Sequence, residues 1–392
     1  MNRRTWLATA GAGVLPAFGA PSREAAKIKI TQFEVFRVHV NRRGNWVLFR
    51  LRTDAGLTGI GDASHGGRDD LKVAGLGKQF FQLVEGKSVF DIEPFRKAAR
   101  AEIERTRRPA AVAFGGIEQC MWDIQAKAIG VPLHKLFGGM LHRKIRCYAN
   151  VNRSTDRRDP AGFAATVESG IEAGFDAFKL APFDGMSQES AAEIERDTQL
   201  GIDCIAAVRK VAGPDRDVLV DAHSHFDRER GIDLARRLEP YNLFWLEEVA
   251  RGLENLAAIN EAAKMPTAGG ESLFGVEAFY RYIAAGAADI MMPDIKYTGG
   301  LLELKKIAAM AEGAGLPTSP HGPASPVGNM SAAHVCATMP NFQILEFSHG
   351  EVPWRAELVD PPEELENGRL TVPGRPGIGY NLNEKTIQRY AP

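Results

Sequence analysis

Val218-Leu219-Val220-Asp221-Ala222-His223 is a short apolar run that stops at a carboxylate. The same figure recurs down the chain. Leu243-Phe244-Trp245-Leu246 stops at Glu247, Thr267-Ala268-Gly269-Gly270 at Glu271, and Ile290-Met291-Met292-Pro293 at Asp294. Pro317-Thr318-Ser319-Pro320 stops at His321 and Ile344-Leu345 at Glu346. The stops are 26, 24, 23, 27 and 25 residues apart. A strand, a loop, a helix and a return loop take about that many residues, since eight such units fill a barrel of about 200–250 residues. Upstream, Ala177-Phe178 stops at Lys179, and Ile145-Arg146-Cys147-Tyr148-Ala149 supplies a first strand, which completes eight. Between the runs lie Ala-rich, charge-laced stretches over 187–212, 228–238 and 300–312 with helical character. Strand–helix alternation argues for parallel βα units. A closed (β/α) barrel of the TIM type sets all strand C-termini on one rim. Lys179, Asp221, Glu247, Glu271, Asp294, His321 and Glu346 are therefore expected to converge. Any one of them alone reads better as a helix cap or loop residue; six in register do not.

Outward from the barrel, residues 25–144 read as an α+β domain. Lys27 to Val40 and Trp46 to Thr53 are expected strands, divided by a turn at 41–45 and followed by another at Asp54-Ala55-Gly56. Helices are expected over 70–85, 92–104 and 109–129. The barrel takes 145–355. Residues 356–392, with turn signals at Asn367-Gly368-Arg369 and Gly377-Ile378-Gly379, are expected to return to the first domain. Residues 1–20 carry a basic head with Arg3-Arg4, then small apolar residues from Ala8 to Ala20. That stretch is too short to span a bilayer. It has the order of a bacterial export signal and resembles the twin-arginine type, which implies a periplasmic location. No other segment is expected to cross a membrane.

Of the 392 residues, 44% are apolar and 25% charged, the balance of a globular chain rather than a disordered or fibrous one. Lys and Arg number 48 against 49 Asp and Glu, which leaves no overall basic charge to hold a phosphate backbone, so nucleic acid is not an expected partner. Cys120, Cys147, Cys204 and Cys336 are scattered without a CxxC pair, so neither a zinc ribbon nor a disulfide framework is indicated.

Charge then suggests chemistry. Asp221, Glu247 and Glu271 on consecutive strands would repel one another in an empty site. An all-oxygen set of this kind suits Mg²⁺, which keeps positions open for water and substrate. Asp294 and His321 can pair, the aspartate orienting the imidazole and raising its basicity. A base facing a metal points to proton abstraction beside a carboxylate, with the enediolate stabilised electrostatically.

At this point the sequence resembles the enolase superfamily. The resemblance is carried by Lys179-Leu180-Ala181, Val220-Asp221-Ala222-His223, Trp245-Leu246-Glu247-Glu248, Gly270-Glu271-Ser272, Met292-Pro293-Asp294 with Gly299-Gly300, and Ser319-Pro320-His321. Gly115-Gly116-Ile117-Glu118 through Trp122-Asp123, and Leu136-Phe137-Gly138-Gly139, resemble the end of the family's capping domain. The resemblance implies Asp221, Glu247 and Glu271 as Mg²⁺ ligands, Asp294 and His321 as the His-Asp dyad of the mandelate racemase branch, and Glu346 as a contact to the substrate carboxylate. Lys179 is implied to pair with a ligand carboxylate or with substrate. Two residues depart from the pattern. Ala181 stands where that branch carries a second lysine, the opposite-face base, and Val249 stands where a proline is usual.

Without Ala181's lysine, racemisation lacks its second proton carrier. His223, two residues past Asp221 and so expected on the same side of a strand, resembles the general acid of the family's acid-sugar dehydratases. The expected activity is a Mg²⁺-dependent lyase reaction converting a sugar acid, a small-molecule carboxylate, to a 2-keto-3-deoxy acid. A racemase, epimerase or cycloisomerase is the alternative, and a non-catalytic periplasmic sugar-acid binding protein is the alternative of another class. Arg42, Arg43, His65 and Arg68 in the capping loops, Asn150 and Asn152 at the end of the first barrel strand, and Lys296 are candidate substrate contacts. The resemblance also implies a homo-oligomer.

Overall fold

The structure is a computed structural model describing residues 25–42, 44–64 and 69–392. The export-signal segment and Arg43, His65 and Arg68 lie outside the described residues.

The chain opens with an antiparallel sheet of β1 (Ile30–Asn41), β2 (Gly44–Thr53) and β3 (Thr58–Asp62). Three helices pack behind it: α1 (Asp70–Val84), α2 (Ile92–Thr106) and α3 (Arg108–Ala128). The expected strand and helix boundaries of this domain shift by at most three residues, and β3 follows the expected turn at 54–56. Its sequence, Thr58-Gly59-Ile60-Gly61-Asp62, has glycine at every second place because α3 crosses it in near contact. A Cβ on Gly61 would meet the Gly116 carbonyl oxygen at 2.1 Å. Almost the whole of α3 is buried, its small residues letting sheet and helices close around it.

The second domain alternates strand and helix. Its strands are β4 (Lys144–Asn150), β5 (Ala177–Leu180), β6 (Asp217–Asp221), β7 (Trp245–Glu247), β8 (Thr267–Gly269), β9 (Ile290–Met291) and β10 (Leu345–Ser348). The helices between them are α4 (Pro160–Glu172), α5 (Ala191–Ala212), α6 (Arg228–Leu238), α7 (Leu253–Ala262), α8 (Gly275–Ala284), α9 (Leu301–Gly313) and α10 (Pro326–Cys336). β4 to β9 pair in sequence order, all parallel, and β10 pairs in parallel back onto β4. The expected seventh strand, 317–320, shrinks to Thr318, which bridges Met291 on one side and Phe342 on the other. Pro317 and Pro320 flank it, and proline has no N–H to give to a ladder. This is the capped TIM-type barrel the spacing implies. Tyr148, Leu219, Trp245, Ala268, Ile290 and Met292 fill its interior.

The last segment contacts both layers. β13 (Arg369–Thr371) pairs antiparallel with β4 and β12 (Leu365–Glu366) antiparallel with β13, after a short β11 (Val359–Asp360) that pairs with β14 (Asn381–Leu382). The closing helix α11 (Glu384–Arg389) lies by β1: the His39 N–H donates to the Tyr390 carbonyl at 2.7 Å, and Arg50 pairs with Glu384 at 2.7 Å.

Two buried carboxylates of the first domain clasp barrel helices at their N-termini, where N–H groups have no partner inside the helix. Asp62 accepts from the Ser325 N–H at 2.8 Å and its hydroxyl at 2.6 Å, ahead of α10. Glu118 accepts from the Leu301 and Leu302 N–H groups at 2.9 and 3.1 Å, opening α9, and from the Trp122 indole at 2.7 Å. Gly300, at φ +97°, leaves room for Glu118. The four cysteines are buried and free, and among the described residues no helix is long and apolar enough to cross a membrane.

A stacked histidine pair, His134 and His334, sits where the turn after α3 meets α10, ring centroids 5.4 Å apart. His334 is buried; its Nε2 lies 3.2 Å from the Ile378 carbonyl, and its Nδ1 accepts from the His134 N–H at 3.3 Å. Both nitrogens are therefore satisfied in the neutral ring, and burial pushes the pKa down to about 3. The unfolded chain binds a proton there near pH 6.5 and the folded chain does not. Stability should fall as pH drops from 6.5 toward 3. Denaturant midpoints at pH 7 and 5 are expected to differ less in His334→Gln than in the parent. An unchanged difference would count against this role for His334.

Candidate active site

The polar stops end up on one rim. Strand length sets the reach of each side chain: Asp221 and Glu247 are the last residues of β6 and β7, while Glu271 lies two past β8, beyond Gly270 at φ +105°. One carboxylate oxygen from each of Asp221, Glu247 and Glu271 falls within a mutual 4.8 Å. Lys179, from β5, stands among the acids. Its Nζ is 3.0 Å from Glu247 Oε1, 3.4 Å from Glu346 Oε1 and 3.7 Å from Asp221 Oδ2, with the Tyr148 ring 5.3 Å away. Burial works against its charge, but the acids prevail and hold its pKa well above the ordinary lysine range. Burial also raises the Glu247 carboxyl, helped by Asp221 and opposed by Lys179.

On the other side, His321 Nδ1 is 2.8 Å from Asp294 Oδ2. Burial favours the neutral acid in Asp294, but Lys296 and His321 outweigh it and keep the pKa low. An ionised carboxylate only accepts, so Nδ1 bears the hydrogen and Nε2 faces the site. Nε2 lies 2.9 Å from Glu271 Oε2 and 3.6 Å from Glu346 Oε2. Burial would leave the ring neutral, yet Glu271 and Glu346 push its pKa up to about 10. Glu346 is fixed by the Gly322 N–H at 3.0 Å and by the Asn150 amide. Burial alone would raise its pKa; Lys179 and His321 bring it down to about 2.

His223 comes to the site by a different route from strand alternation. It lies past the end of β6, and His223 and Ser224 both take left-handed backbone, φ +43° and +57°, which turns the chain at the rim. Its Nε2 is 2.9 Å from Asp221 Oδ2, and its Nδ1 is held by Asp184. Asp221 is the main reason its pKa stands at about 12, against the pull of burial. The two histidines thus reach the acidic triad from opposite members, Asp221 and Glu271.

The other expected contacts are spread out. Asn152 accepts from the Ala181 N–H at 2.6 Å, a structural bond between two strand ends. Lys296 is buried behind the dyad, 3.4 Å from Asp294 and donating to the Pro323 carbonyl at 3.2 Å, so it does not face the mouth. Arg42 is exposed and 3.5 Å from Asp156 of the barrel. Val249 is buried in the barrel's outer core. Sequence reasoning passed over Asp184, Glu248 and Arg108. A cavity of about 550 Å³ opens beside the triad, lined among others by Arg108, His223, Glu248, Glu271, Ser272 and Tyr282. Glu248 takes the Gly270 N–H at 2.7 Å, and burial together with Glu271 raises its pKa to about 7. Asp184 lies in the loop four residues past the end of β5, off the strand-end spacing that marks the recognised residues, so no period pointed to it.

The donor set suits a hard divalent cation. It is all oxygen, Asp221 and Glu247 are buried and Glu271 half-buried, and Lys179 stands among four carboxylates. Among the described residues, Glu271 Oε2 makes no hydrogen bond and has beside it only His321 Nε2, 2.9 Å away. An anionic oxygen left so is costly unless a cation meets it.

Comparison with known proteins agrees. Residues 28–138 match the mandelate racemase/muconate lactonizing enzyme N-terminal domain, and 162–386 match the enolase C-terminal domain-like family. The chain belongs to the enolase superfamily, in its mandelate racemase/muconate lactonizing enzyme family. It is 29% identical over 368 residues to D-galactonate dehydratase of Ralstonia pickettii, covering 92% of this chain and 94% of that one. It is 30% identical over 284 residues to D-gluconate dehydratase of Thermoproteus tenax; the match takes 72% of this chain and spans 56% of that relative's length. Among solved structures, the mandelate racemase/muconate lactonizing enzyme-like protein of Rubrobacter xylanophilus superposes with a TM-score of 0.86 at 28% identity, covering 93% of this chain and 98% of that one.

Proposed function

We propose that this chain is a Mg²⁺-dependent hydro-lyase that removes water from a sugar acid to give a 2-keto-3-deoxy acid. The observation that carries the reading is the placement of two histidines on one acidic triad: His321 Nε2 at 2.9 Å from Glu271 and His223 Nε2 at 2.9 Å from Asp221. Elimination needs a base for the C2 proton and an acid for the C3 hydroxyl. Ala181, where a second base would stand, speaks against a two-base racemase. The naming of the relatives as D-galactonate and D-gluconate dehydratases supports the same class.

Asp221, Glu247 and Glu271 would hold the cation, whose positive charge would stabilise the negative charge growing on the substrate carboxylate and weaken the field that keeps His321 protonated. The rest falls to the chain. His321 takes the C2 proton at Nε2 while Asp294 keeps its tautomer. Glu346, fixed by Lys179, Asn150 and Gly322, orients the substrate carboxylate. His223 gives its Nε2 proton to the departing hydroxyl.

The test is a panel of aldonic and aldaric acids, read by 2-keto acid formation. Activity should vanish in EDTA and return with Mg²⁺. Inversion at C2 without keto acid would favour an epimerase, and tight binding without any turnover would favour a binding protein. The proposal includes a homo-oligomer and export to the periplasm, the latter resting on residues 1–20. Cell fractionation should find the protein in the periplasm, and Arg3→Lys/Arg4→Lys should retain it in the cytoplasm; export unaffected by the pair would remove the twin-arginine assignment.

A further inference from the structure

We infer that Asp184 is the positioning residue of His223, with Arg158 as its anchor, so that each histidine of the site works as half of a carboxylate–imidazole pair. This rests on the reading of His223 as proton donor. Asp184 lies in the loop after β5 and His223 in the loop after β6, so neighbouring strands supply the two halves. One Asp184 oxygen accepts from His223 Nδ1; the other is 2.8 Å from Arg158 Nη2. Arg158 is itself fixed from three directions. It donates to the Asn152 carbonyl at 3.4 Å and to the Ala181 carbonyl, and its guanidinium lies 5.2 Å from the Phe163 ring. The arrangement mirrors Asp294 and Lys296 behind His321.

The consequence is one of orientation. The His223 side chain is 38% exposed and leaves a left-handed turn, so packing alone does not choose its rotamer. Asp184 ties Nδ1 outward and so aims Nε2 inward, at the edge of the acidic triad, 2.9 Å from Asp221 Oδ2. In the elimination, the C2–H bond breaks and its proton goes to His321. The electron pair passes first into the carboxylate as an enediolate; its collapse then forms C2=C3 as C3–O breaks, and the hydroxyl leaves as water with the His223 proton. The enol then tautomerises to the keto acid. Asp184 touches none of the reacting atoms; it acts through His223.

The experiment separates the two half-steps. In the full-length enzyme with Mg²⁺, Asp184→Ala should lower kcat for keto acid formation about 10–100-fold, the usual loss on removing an outer-shell partner. Exchange of the C2 proton in D₂O, which needs only His321, should continue at its parental rate. Asp184→Asn keeps an acceptor oxygen and should recover most of the loss. In a His223→Ala background, Asp184→Ala should cost nothing further, because the two act as a unit. Equal slowing of exchange and dehydration by Asp184→Ala would overturn the inference, as would a full additional loss in the double variant. If His223→Ala itself dehydrates at the parental rate, the proton-donor reading falls, and Asp184's role with it.

Discussion

His321→Asn should abolish keto acid formation and also stop exchange of the C2 proton with solvent deuterium. A positioned general base contributes about 10²–10⁴-fold, and on the opposite face Ala181 provides no substitute. The double readout matters. Loss of the acid, His223, should leave exchange running while dehydration stops; loss of the base should stop both. The amide of asparagine can still bond Asp294, so the fold around β9 should survive, as a thermal melt would show. Exchange persisting in His321→Asn would place the base elsewhere and remove the proposed mechanism.

Lys179→Met should produce the largest change in stability. Lys179 is 1% exposed and lies between Glu247, Glu346 and Asp221, at 3.0, 3.4 and 3.7 Å. Removing one partner of a buried charge cluster leaves the others uncompensated, at about 3–5 kcal/mol. Denaturant midpoints taken in EDTA should register it. The pH dependence has a definite sign. Glu346, held near 2 when folded against an ordinary 4.5, stabilises the parent above pH 4.5 and loses this as pH falls through about 2. In the variant the carboxylates accept protons at higher pH and shed their repulsion, so the deficit should shrink from pH 7 toward 4. A deficit that stays constant over this range would show that lost packing, not charge, is responsible.

What could be read from the sequence was the repeating part. A barrel strand that stops at a polar residue repeats eight times, so Asp221, Glu247, Glu271, Asp294 and His321 announced one another by spacing. The unrepeated part stayed hidden. Asp184 meets His223 across 39 residues and two loops, and neither loop carries a period. Asp62 looks like the end of an edge strand until Ser325 is found against it. The seventh strand failed in the opposite sense: its position was right, but prolines at 317 and 320 reduce it to one bridge. His223 reaches the rim by a left-handed turn and not by the expected pleat alternation.

The carboxylates of Asp62 and Glu118 reach across to finish helices that their own domain does not contain. The barrel made alone therefore keeps orphaned amides, and the cover made alone keeps two unpaired carboxylates. The barrel, expressed without its cover, would lack the acceptors for the first turns of α9 and α10, the helices flanking the loop that bears His321. Melting should then be a single event for the whole chain, and the cover could not be exchanged for another without re-creating those two acids at the same places.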